Sequence, residues 1–359
     1  MALSKFPVFF LAANSADGFV NNFKDCYLKK DGWNAYLIKG GPGTGKSTFM
    51  KKIAVLAAAD KVDIELISCS SDPDSLDGII LKDKKVAVLD ATAPHVIEPA
   101  YAGVHEHILN FGSFWDSSKL KENSQKIIEL TDKNKELHKR ASGFISAIGQ
   151  VMRNNMKISL LATNLDKTFN FSEKLAKRYL KKQNKKGSET VKYLSGITPD
   201  GQVFYGDTID KLCLKKVIIN DNYGSVSAII LSAVRDIAVK LGYEIITVKN
   251  NILPGEKTDH IIIPEISLAF CTKNSFNNIC SENIRLIHAE RFMDRDIIKA
   301  NRNKTMFYSR LINELTLSAV TTLREAKAVH DVLESYYISA MDFDSLKKFT
   351  DEFAAEILR

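Results

Sequence analysis

Short apolar runs alternate with longer stretches of helical spacing along the first hundred residues. Ala35-Tyr36-Leu37-Ile38 is an unbroken apolar run of strand length and predicts a buried parallel strand. Residues 46–59 carry Met50, Ile53, Ala54, Leu56 and Ala57 at near-helical spacing, with no Pro or Gly before Asp60. That pattern predicts a helix. A further strand is read at 62–68, and another in Lys85-Val86-Ala87-Val88-Leu89, which closes on Asp90. Farther on, residues 118–156 and 296–340 are long, charged and periodic, with few breakers. In the first of these, Ile127, Ile128, Leu130, Leu137, Phe144, Ile145, Ile148 and Val151 recur at helical spacing. They predict helical hairpins or a lid packed against the core or its mate, with a coiled-coil arm as the alternative. Strand and helix in alternation predict an α/β fold with a parallel sheet flanked by helices.

The pattern occurs twice. Phe10-Leu11-Ala12-Ala13-Asn14-Ser15-Ala16-Asp17-Gly18 matches Tyr193-Leu194-Ser195-Gly196-Ile197-Thr198-Pro199-Asp200-Gly201 in residue type. Tyr36-Leu37-Ile38 matches Val217-Ile218-Ile219, and Ile79, Ile80 and Ala87 match Ile261, Ile262 and Ala269. Phe114-Trp115-Asp116 matches Phe292-Met293-Asp294, and Lys121, Asn123 and Lys126 match Lys299, Asn301 and Lys304. A nearly constant offset along the whole chain predicts a tandem duplication. The expected units are 1–190, with a helical section at about 113–183, and 191–359, with one at about 291–359.

Composition adds little to this picture and removes some alternatives. A chain of 359 residues with 45% hydrophobic residues is ordinary for two globular domains. No apolar stretch approaches the roughly 20 residues that span a bilayer. The run Phe6–Ala13 resembles a signal segment, but its counterpart is internal, so it is read as structural. Five cysteines, Cys26, Cys69, Cys213, Cys271 and Cys280, include no Cys-x-x-Cys and suggest a reduced, cytoplasmic setting. His105 and His107 lack a third ligand at suitable spacing and read as ordinary histidines. The net charge of +7 is mild. Basic residues between Lys174 and Lys186 read as a solvated helix end and linker; without interleaved aromatics they do not support nucleic-acid binding. The two halves are expected to pair within the chain or through a homo-oligomer.

The chemistry concentrates in one loop. Gly40-Gly41-Pro42-Gly43-Thr44-Gly45-Lys46-Ser47 satisfies Gly-x-x-x-x-Gly-Lys-[Ser/Thr], between a predicted strand and a predicted helix. Glycines let such a loop curl its N–H groups inward around phosphate oxygens. Lys46 is expected to reach the β- and γ-phosphates, and Ser47 to hold Mg²⁺. Thr48 belongs to the same expected nucleotide-binding set. Asp90, closing a strand downstream, is the expected second Mg²⁺ ligand. Ala91 stands where many motor-type enzymes place a Glu, so the base is sought among Asp77, His95 and Glu98. Residues Asp72 to Asp77 read in the first place as a turn and helix cap around Pro73, with a base among them as the alternative. The guanine-selecting Asn-Lys-x-Asp is absent, because Asn134-Lys135-Glu136-Leu137 lacks the Asp, so ATP is the expected nucleotide.

In the second copy, Asp221–Ala228 aligns with 40–47, and Gly224 alone survives. Val226, Ser227 and Ala228 then replace the tight-turn glycine, the lysine and the Mg²⁺ hydroxyl, and Cys271-Thr272 replaces the acid. One nucleotide site is expected, with Asn222 and Ser227 as the elements of some other ligand site in the alternative.

The loop, the Asp90-Ala91-Thr92-Ala93-Pro94-His95 segment, the Phe114-Trp115-Asp116 segment and the duplicated plan together resemble a family of bacterial ATPase-like proteins, mostly from Firmicutes, with tandem P-loop domains. The resemblance covers nearly the whole chain. It implies tandem P-loop NTPase domains and nucleotide binding at Gly40–Ser47 with Asp90, and it brings no substrate. An ATPase is the leading expectation. A kinase acting on a small molecule with Asp77 as base, or a non-catalytic nucleotide sensor, are the alternatives.

Overall fold

The computed structural model of the protein describes residues 3–27, 32–279 and 284–359; Cys280 lies outside them. The first sheet contains β1 (Val8–Phe9), β4 (Asn34–Lys39), β5 (Ile64–Ser68), β6 (Leu76–Leu81), β7 (Val86–Asp90) and β8 (Glu106–Asn110). Its spatial order is β1-β5-β6-β7-β4-β8. The second contains β9 (Ser188–Lys192), β12 (Lys215–Asn220), β13 (Glu244–Lys249), β14 (Thr258–Ile263), β15 (Leu268–Lys273) and β16 (Ile284–His288). Read from the opposite edge, its order β9-β13-β14-β15-β12-β16 is the same permutation. Each half adds a small hairpin, β2 (Ala12–Ser15) with β3 (Gly18–Asn21) and β10 (Ser195–Thr198) with β11 (Gly201–Phe204). The repeated Asp-Gly closes both hairpins, with Gly18 and Gly201 at φ +112° and +116°.

The sheets are mixed rather than parallel. In each, one strand (β6 or β14) runs against both neighbours, and the other pairings are parallel. The connections into and out of β6 are short loops with no crossover helix, and short loops can join only antiparallel strands.

The sheets face one another. Leu37, Ile67 and Leu89 of the first share a buried cluster with Ile218, Val248 and Ile262 of the second. Alternate strand residues point the other way, Ile38 and Val88 into one outer cluster and Val217 and Ile219 into another. The result is four main layers, helix–sheet–sheet–helix, with the short helix α5 (Asp207–Leu212) adding Ile209 and Leu212 to the cluster between the sheets.

Those outer helices are exchanged between the repeats. The first sheet is covered by α1 (Lys46–Ala59) and by the last helix of the second repeat, α9 (Phe343–Leu358), through Leu346, Phe353 and Ile357. The second sheet is covered by α6 (Ser225–Lys240) and by α4 (Leu165–Tyr179) of the first repeat, through Leu175 and Ala176. Each large apolar side chain buried this way contributes about 1.5–3 kcal/mol. The repeat boundary near residue 190 is therefore not a packing boundary.

The exchange is reciprocal. Asp116 N–H donates to Ala340 O at 2.8 Å and Asp294 N–H to Ala162 O at 2.7 Å. Asp342 N–H donates to Phe114 O and Asn164 N–H to Phe292 O, both at 2.8 Å. Phe10 and Tyr193, matched in the repeat, hydrogen-bond to each other twice at 2.9 Å. These contacts have the pattern of a two-fold axis within one chain. Two antiparallel helices of 39 residues each, α3 (Ser124–Ala162) and α8 (Arg302–Ala340), pack against each other across that axis through Ile145, Ile148, Ile312 and Leu323. Short helices α2 (Ser117–Glu122) and α7 (Arg295–Ala300) precede them. Asp116 and Asp294 cap α2 and α7 by accepting two backbone N–H groups each, which accounts for the Asp of both Phe-x-Asp segments. The remaining helix, α5 (Asp207–Leu212), follows its hairpin where the first repeat has a 3₁₀ turn, Phe23–Cys26. No helix among the described residues is long and apolar enough to cross a membrane.

Candidate functional site

The glycine loop lies between β4 and α1. Gly43 and Gly45 take φ +65° and +83°, values a side chain would strain, and Gly45 is the left-handed N-cap of α1. Thr44 Oγ1 donates to Gly41 O at 2.8 Å and closes the loop on itself. Lys46 Nζ donates to Gly41 O at 2.7 Å and faces Asp90 Oδ2 at 3.5 Å. Asp90 is brought there because β7 pairs with β4 in a register that sets it opposite Ile38. Its other oxygen accepts Thr92 N–H at 2.8 Å. Ser47 Oγ accepts Leu76 N–H at 3.0 Å. Gly40 and Pro42 belong to the same turn, and Thr48 is exposed on the first turn of α1.

The roof of the loop comes from the other repeat. Glu334 on α8 accepts Gly43 N–H at 3.1 Å. A Cβ on Gly41 would lie 2.6 Å from the Tyr337 ring, and one on Gly43 would lie 2.8 Å from Glu334 O. Phe343 and Leu346 pack over Gly45. His330, one turn before Glu334 and 3.3 Å from it, is the main reason its carboxyl is held below the ordinary range; the Gly43 N–H adds to the effect. Lys327 reaches Asp72 at 3.5 Å. Glu334 carries no local motif, so sequence reasoning passed over it.

Of the candidate bases, Asp77 and His95 come together and Glu98 stands apart. His95 Nε2 is 3.2 Å from Asp77 Oδ2, and both residues are 5% exposed. Burial pushes the imidazole pKa down, but Asp77 outweighs it and the net shift is upward, with Asp90 adding and Lys46 opposing. Phe19 and Phe23 pack on the imidazole at ring distances of 5.3 Å. His95 Nδ1 is buried with no hydrogen-bond partner among the described residues. Cys69, absent from the sequence-level candidates, joins this group through a hydrogen bond with Asp77. Glu98 points outward to Lys39 at 2.9 Å. Asp72 forms a turn, accepting from Ser75 Oγ at 2.6 Å and Ser75 N–H at 2.8 Å. His107 stacks on Tyr36 and His105 meets Tyr101 edge-on, so these two histidines serve separate aromatic contacts.

The second loop has a different register from the one the sequence suggests. Gly224, at φ +90°, is the left-handed N-cap of α6 and so corresponds to Gly45, not Gly43. The connection runs 221–224 against 40–45 and is two residues shorter. Ser225 therefore stands at the position of Lys46, Val226 at that of Ser47 and Ser227 at that of Thr48. Thr272 lies opposite Ile219 as Asp90 lies opposite Ile38. Asp221, 1% exposed, accepts the N–H groups of Tyr223 at 3.0 Å, Gly224 at 2.8 Å and Ser227 at 2.8 Å. Ser227 is fully buried, which removes it from any surface ligand site, whereas Asn222 lines a small cleft with Tyr223, His288 and Glu290. Helix α3 roofs this loop through Ser159, hydrogen-bonded to Ser225, and Met156 beside Gly224. No protein-family model, curated protein or solved structure matches the chain.

Proposed function

We propose that the protein is a one-site Mg²⁺–ATP-binding ATPase whose nucleotide lies on Gly40–Ser47. The observation that carries this reading is the complete glycine-lysine-serine loop at a strand-to-helix junction, with an acid of the adjacent strand end facing the lysine at 3.5 Å. The Ser47 hydroxyl and the Asp90 carboxylate are hard oxygen donors suited to Mg²⁺, which would neutralise phosphate charge. Lys46 would leave Gly41 O for the phosphates, and the first turn of α1 offers them its N–H groups. Glu334 holds one of the loop's N–H groups, so nucleotide entry requires α8 to give way there. That contact ties occupancy of the first loop to a helix of the second repeat. The free thiols of Cys69, Cys213 and Cys271 fit a cytoplasmic setting.

Titration with ATP and Mg²⁺ tests binding, and Lys46→Ala should weaken it strongly; unchanged affinity refutes the reading. Release of ADP and phosphate without an acceptor supports hydrolysis. Release only in the presence of a metabolite pool turns the reading to a kinase, and binding without turnover turns it to a sensor.

A further inference from the structure

Three strand ends beside the glycine loop bring together a half-buried thiol and two buried donors that nucleotide binding does not use. Cys69 follows β5, Asp77 lies in β6 and His95 follows β7, and β6 pairs with both of the others. One donor atom from each, a sulfur, a carboxylate oxygen and a ring nitrogen, lies within 4.8 Å of the other two. The nitrogen–oxygen separation of 3.2 Å is long for a charge-assisted hydrogen bond. It is close to the roughly 3.3 Å edge between nitrogen and oxygen ligands on a tetrahedral ion with bonds near 2.0 Å. The backbone N–H groups of Ser71 and Asp72 point at Cys69 Sγ, but burial and the Asp77 carboxylate outweigh them and push the thiol up, so binding an ion there requires the ion to displace the thiol proton. Phe19 and Phe23 hold the imidazole in one plane.

We propose that Cys69, Asp77 and His95 form a zinc(II) site next to the nucleotide loop. The mixed sulfur, nitrogen and oxygen set suits zinc and is wrong for Mg²⁺ or Ca²⁺, which take oxygen ligands. Three protein ligands leave a fourth position for water. The ion would tie the loops after β5 and β7 to β6, close enough to Asp90 and Lys46 for both to act electrostatically on His95. His95 Nδ1 lacks the acceptor that usually braces a zinc histidine. Affinity should therefore fall about 10–100-fold below that of a fully braced site.

The test is cobalt(II) titration of the full chain, stripped of metal and free of nucleotide. The expected result is one equivalent bound, with a thiolate-to-cobalt charge-transfer band, tetrahedral visible bands, and displacement by zinc. Lys46→Ala should keep these bands, so a failure of the nucleotide reading leaves this result untouched. Cys69→Ser should lose the charge-transfer band, and His95→Ala should weaken zinc binding by about 100-fold or more, with circular dichroism confirming the fold of each. Absence of the thiolate band in the wild-type chain overturns the proposal without reliance on any variant. An undiminished band in Cys69→Ser also overturns it, because the ion then sits on another cysteine.

Discussion

The two loops at the strand-to-helix junctions are the same device in opposite states. Around Gly40–Ser47 a carboxylate from the other repeat, Glu334, takes a single N–H, and Lys46 faces an acid. In the shortened second loop Asp221, built into the loop itself, takes three N–H groups and is buried. A curled backbone with inward N–H groups needs an anion. The second loop supplies its own, and the first borrows one from a helix of the other repeat. Losing the motif therefore need not cost the fold, because Asp221 satisfies the donors that the geometry exposes.

The contrast can be broken at several points, and the largest effect is expected at Asp221. Asp221→Ala should destabilise the chain by about 3–5 kcal/mol, since buried N–H groups lose a charged acceptor; chemical denaturation measures this. The next effect lies between the halves. Glu65 bonds Lys192 of the second repeat and Lys82, where the matched positions Ile246 and Phe9 are apolar. Burial pushes the Glu65 carboxyl up, but Lys192 and Lys82 outweigh this and bring it from 4.5 to about 2. A depressed folded-state pKa adds stability that is complete above the unfolded value and is lost as pH falls. Stability should thus drop between about pH 4.5 and 2, by an amount on the order of 3 kcal/mol. Glu65→Gln should flatten that part of the profile, and an unchanged slope would remove the pair from the interface account.

Lys46→Ala should weaken ATP binding by about 2–3 kcal/mol, roughly 30–150-fold, with little change in stability, and calorimetry reads both. Ser225→Lys should not create a second site, because Asp221 still fills that loop. A smaller gain is expected from Glu334→Ala, which frees Gly43 and should tighten ATP by about 1 kcal/mol. Weaker binding would make Glu334 part of the nucleotide site instead. The smallest effect is expected at Glu98: its exposed pair with Lys39 is worth about 0–1 kcal/mol, so Glu98→Gln should leave turnover unchanged.

Much of this arrangement was legible in the chain. The runs at 35–38 and 86–89 are strands, 46–59 is a helix, and the repeated Asp-Gly and Phe-x-Asp segments are hairpin turns and helix caps. These signals are local, because apolar period, glycine and capping side chains act within a few residues. The register of the second loop was misplaced, since a two-residue deletion is invisible when only one glycine remains to anchor the alignment. The antiparallel course of β6 was missed because apolar strands look alike in either direction. Cys69 and Glu334 were missed because their roles depend on neighbours distant in sequence.

By itself the sequence determined an α/β pattern that occurs twice and one intact Gly-x-x-x-x-Gly-Lys-Ser loop, for these follow from periodicity, repetition and a motif of eight adjacent residues. Only the tertiary structure decided that the final helix of each repeat covers the other's sheet, that Glu334 lies on the loop, and that Asp77 and His95 meet while Glu98 does not. The physical reason is that an apolar helix face is complementary to either sheet of a duplicated pair. Which sheet it covers depends on where the 39-residue helices α3 and α8 carry the chain, and that is set by their packing against each other.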